Sequence, residues 1–128
     1  MPQSGRKLAP GDRPPARAIA FLVVLFILNS PVLAEHGVYR YLPLSRARAR
    51  ALVRREPSTS AIGHAAAAAL AAEELGIEIP LRRVSVRLRP GDRALVLKLL
   101  RRPAEGAILD QRGMVRAGYR WDLLARLA

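Results

Sequence analysis

The hydrophobic pattern of this chain begins with an unbroken apolar run and then becomes helical. Residues 18–28 (AIAFLVVLFIL) are rich in Val, Ile, Leu and Phe, which is typical of a strand buried on both faces of a sheet. Residues 37–41 predict a short edge strand or a lead into a turn at Pro43. Residues 44–55 have helical periodicity, with Ser45 as the N-cap. The apolar positions of this helix are Leu44, Ala47 and Ala51, and its solvated stripe is Arg46, Arg50 and Arg54.

A second helix and a hairpin are predicted in the middle of the chain. The alanine-rich stretch after residue 60 is helical up to Leu75, where Gly76 supplies a stop signal. Residues 83–89 (RVSVRLR) alternate between apolar and polar, and a Pro-Gly-Asp turn leads from them into residues 93–102 (RALVLKLLRR), which predicts a β-hairpin. The core-facing positions of the helix are Ala67, Leu70 and Ala71. In the returning strand, one face carries Leu95, Leu97 and Leu99, and the other face carries Ala94, Val96 and Lys98.

The C-terminal pattern completes a mixed fold. Residues 110–117 predict a short helix, and residues 119–127 predict a strand in which Tyr119, Trp121 and Leu123 share one face. Helical and alternating segments are interleaved along the chain. We therefore predict an α/β (mixed α+β) fold, with a central, mostly antiparallel or mixed sheet of about five strands flanked by helices.

The N-terminal residues allow two interpretations. Residues 1–17 contain four prolines, two glycines and four basic residues, so we predict a disordered extension that precedes a single domain spanning 18–128. The basic leader, the apolar run and the small residues near Ala34 also resemble an export signal, which would make the chain a secreted or membrane-attached basic protein. The run is too short to span a bilayer, so we expect no stable membrane association. The pattern alone leaves a buried strand and an export signal nearly even, and the family resemblance given below favours the strand. A mature start near Glu35 would instead remove that strand.

The net charge and the residue composition limit the partners and the kinds of reactive site that this chain can have. Twenty-two Lys and Arg against ten Asp and Glu give a formal net charge of +12, which favours an anionic partner such as nucleic acid, a nucleotide or anionic lipid. The chain has no cysteine and two histidines, which excludes disulfides, zinc-thiolate clusters and cysteine nucleophiles and makes a transition-metal site improbable. We therefore expect metal-free chemistry.

Residues 60–64 (SAIGH) contain the strongest candidate for that chemistry. Gly63 lets the backbone approach a ligand, and His64 stands where the unpaired N–H groups of a helix's first turn carry partial positive charge. Such a helix entrance attracts phosphate, and a histidine beside a phosphodiester can act as general acid toward the departing oxygen. The alternative is structural: His64 packs against the sheet or caps its helix.

Four stretches together resemble the viral ring nuclease family, small anti-CRISPR proteins of viruses and of bacterial hosts and their phages. They are FILNSPVL (26–33), SAIGH (60–64), RRVSVRLRPGDRALVLKLLRR (82–102) and PAEGAIL (103–109). The resemblance extends from Ala20 to Leu127 and implies a mixed sheet flanked by helices and a homodimer. It also implies cleavage of cyclic tetra-adenylate (cA4), the second messenger of type III CRISPR immunity, in the cytoplasm, which is that of the host cell if the chain is virus-encoded.

The resemblance implies a role for individual residues. His64 matches the catalytic histidine that protonates the leaving 5′ oxygen, and Glu105 matches an acidic residue that supports catalysis. The residues implied to bind substrate are Asn29, Ser30, Ser60, Gly63, Arg83, Lys98 and Arg102. Neither metal nor cofactor is needed, because the ribose 2′-hydroxyl attacks its neighbouring phosphorus and leaves linear di-adenylate with a 2′,3′-cyclic phosphate.

Four positions depart from the family pattern. Residues 65–67 are all alanine where many members have an acidic residue followed by Ser-Thr, and Lys98 replaces a glutamine of some members. A second function class therefore stays open, namely a non-catalytic basic module that binds or sequesters cyclic oligoadenylate or nucleic acid. The low aromatic content, 5%, disfavours single-strand binding by base stacking.

Overall fold

The computed structural model describes residues 23–101 and 109–128. In this part of the chain, five strands form one mixed sheet and three helices pack on it. The strands are β1 (Leu25–Leu28), β2 (Tyr39–Leu44), β3 (Thr59–Ser60), β4 (Arg93–Leu99) and β5 (Tyr119–Arg126). The helices are α1 (Arg46–Arg55), α2 (Ala65–Leu75) and α3 (Gln111–Ala117). The predicted fold class is confirmed; the predicted extension 1–17 lies outside the described residues.

The sheet has a parallel and an antiparallel half. Its strand order is β2-β5-β4-β1-β3, with β1 parallel to both β3 and β4, while β5 is antiparallel to both β4 and β2. The apolar run therefore does contribute an inner strand, although only Leu25–Leu28 is assigned to it. At the opposite edge, Pro43 lies within β2 and pairs with Asp122, so the predicted turn at Pro43 is wrong. An edge strand tolerates proline because one side of its ladder has no partner.

All three helices pack on one face of the sheet. The core on that face combines Leu25 and Ile27 of β1 with Leu95 and Leu97 of β4, as alternation in β4 predicts. Helix α1 begins after the predicted N-cap, where the Ser45 hydroxyl accepts a hydrogen bond from the Arg48 amide at 3.1 Å. Its buried residues are Ala49, Leu52 and Val53. The predicted apolar positions Ala47 and Ala51 are exposed, because burying Leu52 and Val53 removes more apolar surface from water than burying two alanines.

The ends of α2 and α3 are set by local signals that the sequence contains. Helix α2 ends at Gly76, which adopts a left-handed conformation with φ +71°, and its predicted core positions are buried. Helix α3 begins after Asp110, whose carboxylate accepts a hydrogen bond from the Gly113 amide at 2.7 Å. Both predicted helices are therefore confirmed. The buried residues of α2 are Ala67, Ala68, Leu70, Ala71 and Leu75.

Residues 81–89 cover part of the other face of the sheet without joining it. Val86 and Leu88 are buried against Ala94, Val96 and Leu124, whereas Val84 is exposed. The predicted hairpin is wrong, because β4 already pairs with β1 on one side and with β5 on the other and has no free edge. The predicted turn does form at Pro90–Asp92, where Gly91 has φ +96° and the Asp92 amide donates to the Arg89 carbonyl.

Candidate functional site

The loops that follow the parallel strands meet at one edge of the sheet. Asn29 and Ser30 follow β1, and Gly63 and His64 lie between β3 and α2. Because β1 is parallel to β3 and to β4, the carboxyl ends of these three strands share this edge. Crevices outside the carboxyl ends of parallel strands are the usual ligand sites of open α/β sheets. Parallel pairing thus gathers two separate stretches of the sequence into one candidate site.

A cleft of about 530 Å³ opens between the end of β1 and the segment 83–87. Its floor is apolar and includes Leu28, Ala61 and Val86, which belong to the core on the face opposite the helices. The polar positions around it are Asn29, Ser30, Gly63, Arg83, Ser85 and Arg87. Four of the residues that the resemblance assigns to substrate binding therefore line a single cavity.

Arg83 is held against the backbone of Gly63. Its Nε donates a hydrogen bond to the Gly63 carbonyl oxygen at 2.8 Å. A Cβ on residue 63 would lie only 3.0 Å from the Arg83 Cγ, so the absence of a side chain permits this approach. The contact fixes the base of the guanidinium group while the side chain remains exposed to solvent. An arginine restrained in this way is prepared for an anion at low entropic cost.

His64 is exposed and caps α2. Its Nδ1 accepts a hydrogen bond from the Ala67 amide at 3.3 Å, and its backbone is extended, as an N-cap requires. The alternative that His64 packs against the sheet is therefore wrong, whereas the capping alternative is confirmed. Because Nδ1 accepts, the proton of the neutral ring is on Nε2, the nitrogen that the cap leaves unused.

The remaining predicted site residues are placed differently. Ser60 is buried, donates to the Pro80 carbonyl at 2.8 Å and is contacted by the Ile62 amide at 3.4 Å, so it supports the loop before Gly63 and does not line the cleft. Lys98 is half-buried near the end of β4, on the face that carries the cleft, but outside its lining. Glu105 and Arg102 lie outside the described residues.

Two polar features of this face were not assigned to the site from the sequence. Arg87 and Ser85 line the cleft, and the alternation that puts them on the polar side of residues 83–89 was the available signal. Farther along the sheet, the Tyr41 hydroxyl donates to the Asp122 carboxylate, which also accepts from Arg120. Burial and this hydrogen bond raise the pKa of Tyr41 to about 12.

Comparison with known proteins places the chain in a family. The sequence profile of the STIV B116-like family matches residues 25–121, well over half of the 128 residues. The chain belongs to the STIV B116-like family. The match includes β1, the SAIGH loop and residues 83–87, which together contribute to the candidate site of this STIV B116-like protein.

Viral proteins are among the relatives of this STIV B116-like chain. ORF117 of Acidianus two-tailed virus, an uncharacterized protein, is 34% identical over 92 residues, which cover 68% of this chain and 79% of ORF117. Uncharacterized protein 26 of Sulfolobus islandicus filamentous virus is 32% identical over 90 residues, covering 67% and 76%. The solved structure of B116 from Sulfolobus turreted icosahedral virus matches with a TM-score of 0.63 and 17% identity over 80% of this chain and 99% of B116, which supports the fold.

Residues 23–101 and 109–128 contain neither a membrane-spanning helix nor a metal-binding cluster. No helix there is both long and apolar enough to span a membrane. No group of three or more His, Asp or Glu side chains there is arranged to hold a metal ion. Metal-free chemistry stays a prediction that only an assay tests.

Proposed function

We propose that this chain is a metal-independent ring nuclease that cleaves cyclic tetra-adenylate to linear di-adenylate and so switches off type III CRISPR effectors. The observation that carries the proposal is the cleft in which Asn29, Ser30, Gly63 and Arg83 come together, with exposed His64 directly after Gly63. Membership in a family with viral relatives also supports it, because a virus gains from silencing host immunity.

Phosphate binding is the first step of the proposed reaction. Arg83, anchored on the Gly63 carbonyl, and Arg87 supply positive charge at the cleft. The first turn of α2 adds the partial positive charge of its unpaired N–H groups. We further propose that a homodimer binds the ring across its two-fold axis, so that each protomer presents the same groups to opposite phosphates.

The chemical step is an internal transesterification. The ribose 2′ oxygen bonds to phosphorus as the bond from phosphorus to the 5′ oxygen breaks, and the 2′-hydroxyl proton passes to solvent. His64 protonates the departing 5′ oxygen through Nε2. To do so the ring must first take a proton on Nδ1, which ends the hydrogen bond from the Ala67 amide. A bound phosphate favours that charged ring, so substrate binding and release of the cap occur together.

Two His64 variants separate the catalytic from the capping role. Asparagine is a good N-cap, so His64→Asn should keep the stability of α2, whereas His64→Ala should lose about 1 kcal/mol. Both variants should lose cleavage, because neither carries an acidic proton near neutral pH. The full chain and both variants are incubated with cyclic tetra-adenylate and a chelator, and products are separated while thermal unfolding is followed in parallel.

Several results would overturn the proposal. Cleavage that persists in His64→Asn would exclude His64 as the acid, and cleavage that stops when metal is chelated would exclude the metal-free mechanism. Equal cleavage of generic linear RNA would indicate a less selective nuclease.

A second candidate function is sequestration without cleavage. It is favoured by the occupied Nδ1 of His64 and by the three alanines that follow it, which offer no hydroxyl to a phosphate. The same incubation distinguishes this function, because the native chain would then retain the ring intact at a measurable Kd and form no product.

A further inference from the structure

The face of the sheet that carries the cleft has a second group of polar side chains. Arg120 donates from Nε to both carboxylate oxygens of Asp122, at 2.9 and 3.1 Å. Tyr41 donates its hydroxyl to the same carboxylate. Lys98 lies directly across from Arg120 in the ladder of β4 and β5. Two cations and one carboxylate thus stand next to each other on adjacent strands.

Burial distinguishes the members of this group. The Asp122 side chain is 1% exposed, while the Arg120 side chain is 47% exposed. A buried carboxylate is costly unless hydrogen bonds satisfy it, and here Arg120 and Tyr41 supply them. Solvent therefore meets the two cations and not the acid. The hydrogen bonds of Arg120 within the described residues use Nε alone, so the carboxylate restrains the guanidinium while its outer nitrogens remain available.

The group lies beside the cleft. Leu28, which lines the cleft, pairs with Val96, and Lys98 stands two residues farther along β4 on the same face. Arg120 is on the next strand, and neighbouring strands are about 4.8 Å apart, so its backbone is roughly 10 Å from the line of β1. A ligand with more than one phosphate could therefore contact the cleft and this group together.

We propose that Arg120 joins Lys98, which the resemblance already implies in substrate binding, in a second phosphate subsite, in which Tyr41 and the buried Asp122 hold Arg120 in position for a phosphate of the ligand bound in the cleft. The identity of that ligand rests on the proposed function. The primary test of the subsite uses inorganic pyrophosphate and does not depend on that function. Asp122 and Tyr41 are positioning residues, because they act through Arg120. Lys98 adds the second positive charge. Among the described residues, it has no buried carboxylate as an ion-pair partner.

Nuclear magnetic resonance on the native full chain is the primary test. The chain, labelled with ¹⁵N, is titrated with inorganic pyrophosphate, and the Arg120 Nε–H and the Lys98 and Arg120 amide signals are followed. Saturable shifts of all three are expected. Lys98→Gln should weaken the response roughly tenfold, as expected for a lost charge-assisted contact, whereas Arg54→Gln, which removes an exposed charge from α1, should leave it unchanged. An absence of saturable shifts at Arg120 would overturn the subsite.

Cyclic tetra-adenylate then separates the subsite from the proposed function. In a His64→Asn background, Lys98→Gln and the paired Arg120→Gln/Asp122→Asn variant, which leaves no unpaired buried charge, should each bind the ring roughly tenfold more weakly. Each should also show a slope of log affinity against log salt that is smaller by about 0.7. Unchanged ring affinity and slope would overturn the subsite alone. Shifts with pyrophosphate in a chain that does not bind the ring would overturn the proposed function alone.

Discussion

Replacing Gly63 by alanine should weaken anion binding without unfolding the protein. The backbone of Gly63 does not have a positive φ, so alanine fits its conformation. The new Cβ would lie 3.0 Å from the Arg83 Cγ, whereas carbon atoms pack best at about 3.5 to 4.0 Å. The exposed Arg83 side chain must therefore move by about half an ångström, which lengthens its 2.8 Å hydrogen bond to the Gly63 carbonyl.

The size of the effect follows from that hydrogen bond. A hydrogen bond of this kind contributes about 1 kcal/mol net, so its loss should reduce affinity for a phosphate ligand by about fivefold. Stability should fall by no more than about the 1 kcal/mol of that hydrogen bond, because no core side chain is displaced. In an Arg83→Ala background the clash and the hydrogen bond are both absent, and Gly63→Ala should then cost nothing further.

A double-mutant cycle measures this coupling directly. The four chains, native, Gly63→Ala, Arg83→Ala and the double variant, are each titrated with cyclic tetra-adenylate in the His64→Asn background, which under the proposed function should bind the ring without cutting it. Thermal unfolding of the same samples controls for folding. An equal loss in both backgrounds would refute the argument, because Gly63 would then act on the ligand through its own backbone and not through Arg83.

Three further predictions concern stability. The pKa of Tyr41 is raised from 10.0 to about 12, so its contribution to the free energy of unfolding is complete below pH 10 and is lost as the pH rises toward 12. Urea unfolding at several pH values should therefore show a smaller loss of stability above pH 10 in Tyr41→Phe than in the native chain. Asp110→Ala should lower the free energy of unfolding by about 1 kcal/mol and Asp110→Asn by much less, and equal melting temperatures would contradict the cap. Leu97→Ala should cost about 2 to 5 kcal/mol in urea unfolding, and a loss below 1 would contradict its buried position.

Local signals account for the parts of the fold that the sequence predicts. Ser45, Gly76 and Asp110 act through hydrogen bonds or dihedral angles within a few residues, so the helix ends can be found without tertiary information. The alternation of β4 likewise follows from the geometry of a single strand. The predicted hairpin does not form, because strand pairing depends on residues far apart in the sequence and β1 and β5 already pair with both edges of β4.

The candidate site also has features that the sequence predicts and features that only the folded structure reveals. The small residues and the histidine of the SAIGH loop are visible in one stretch of sequence, and the helix entrance follows from local pattern. The contact between Arg83 and Gly63 joins residues 20 positions apart, and that between Tyr41 and Asp122 joins residues 81 positions apart. Alternation assigns Asp122 to a polar face, but only the packed sheet reveals that this carboxylate is buried and paired.

The directions of the strands that flank β4 explain why Lys98 and Arg120 lie near the cleft. Strand β4 is parallel to β1, so its carboxyl end lies beside the loop that begins at Asn29. It is antiparallel to β5, so the same end lies beside the start of β5 and brings Arg120 opposite Lys98. A parallel β5 would put Arg126 at that edge and leave Arg120 at the far one. The mixed direction of the sheet is therefore what places a conformationally restrained arginine next to the cleft.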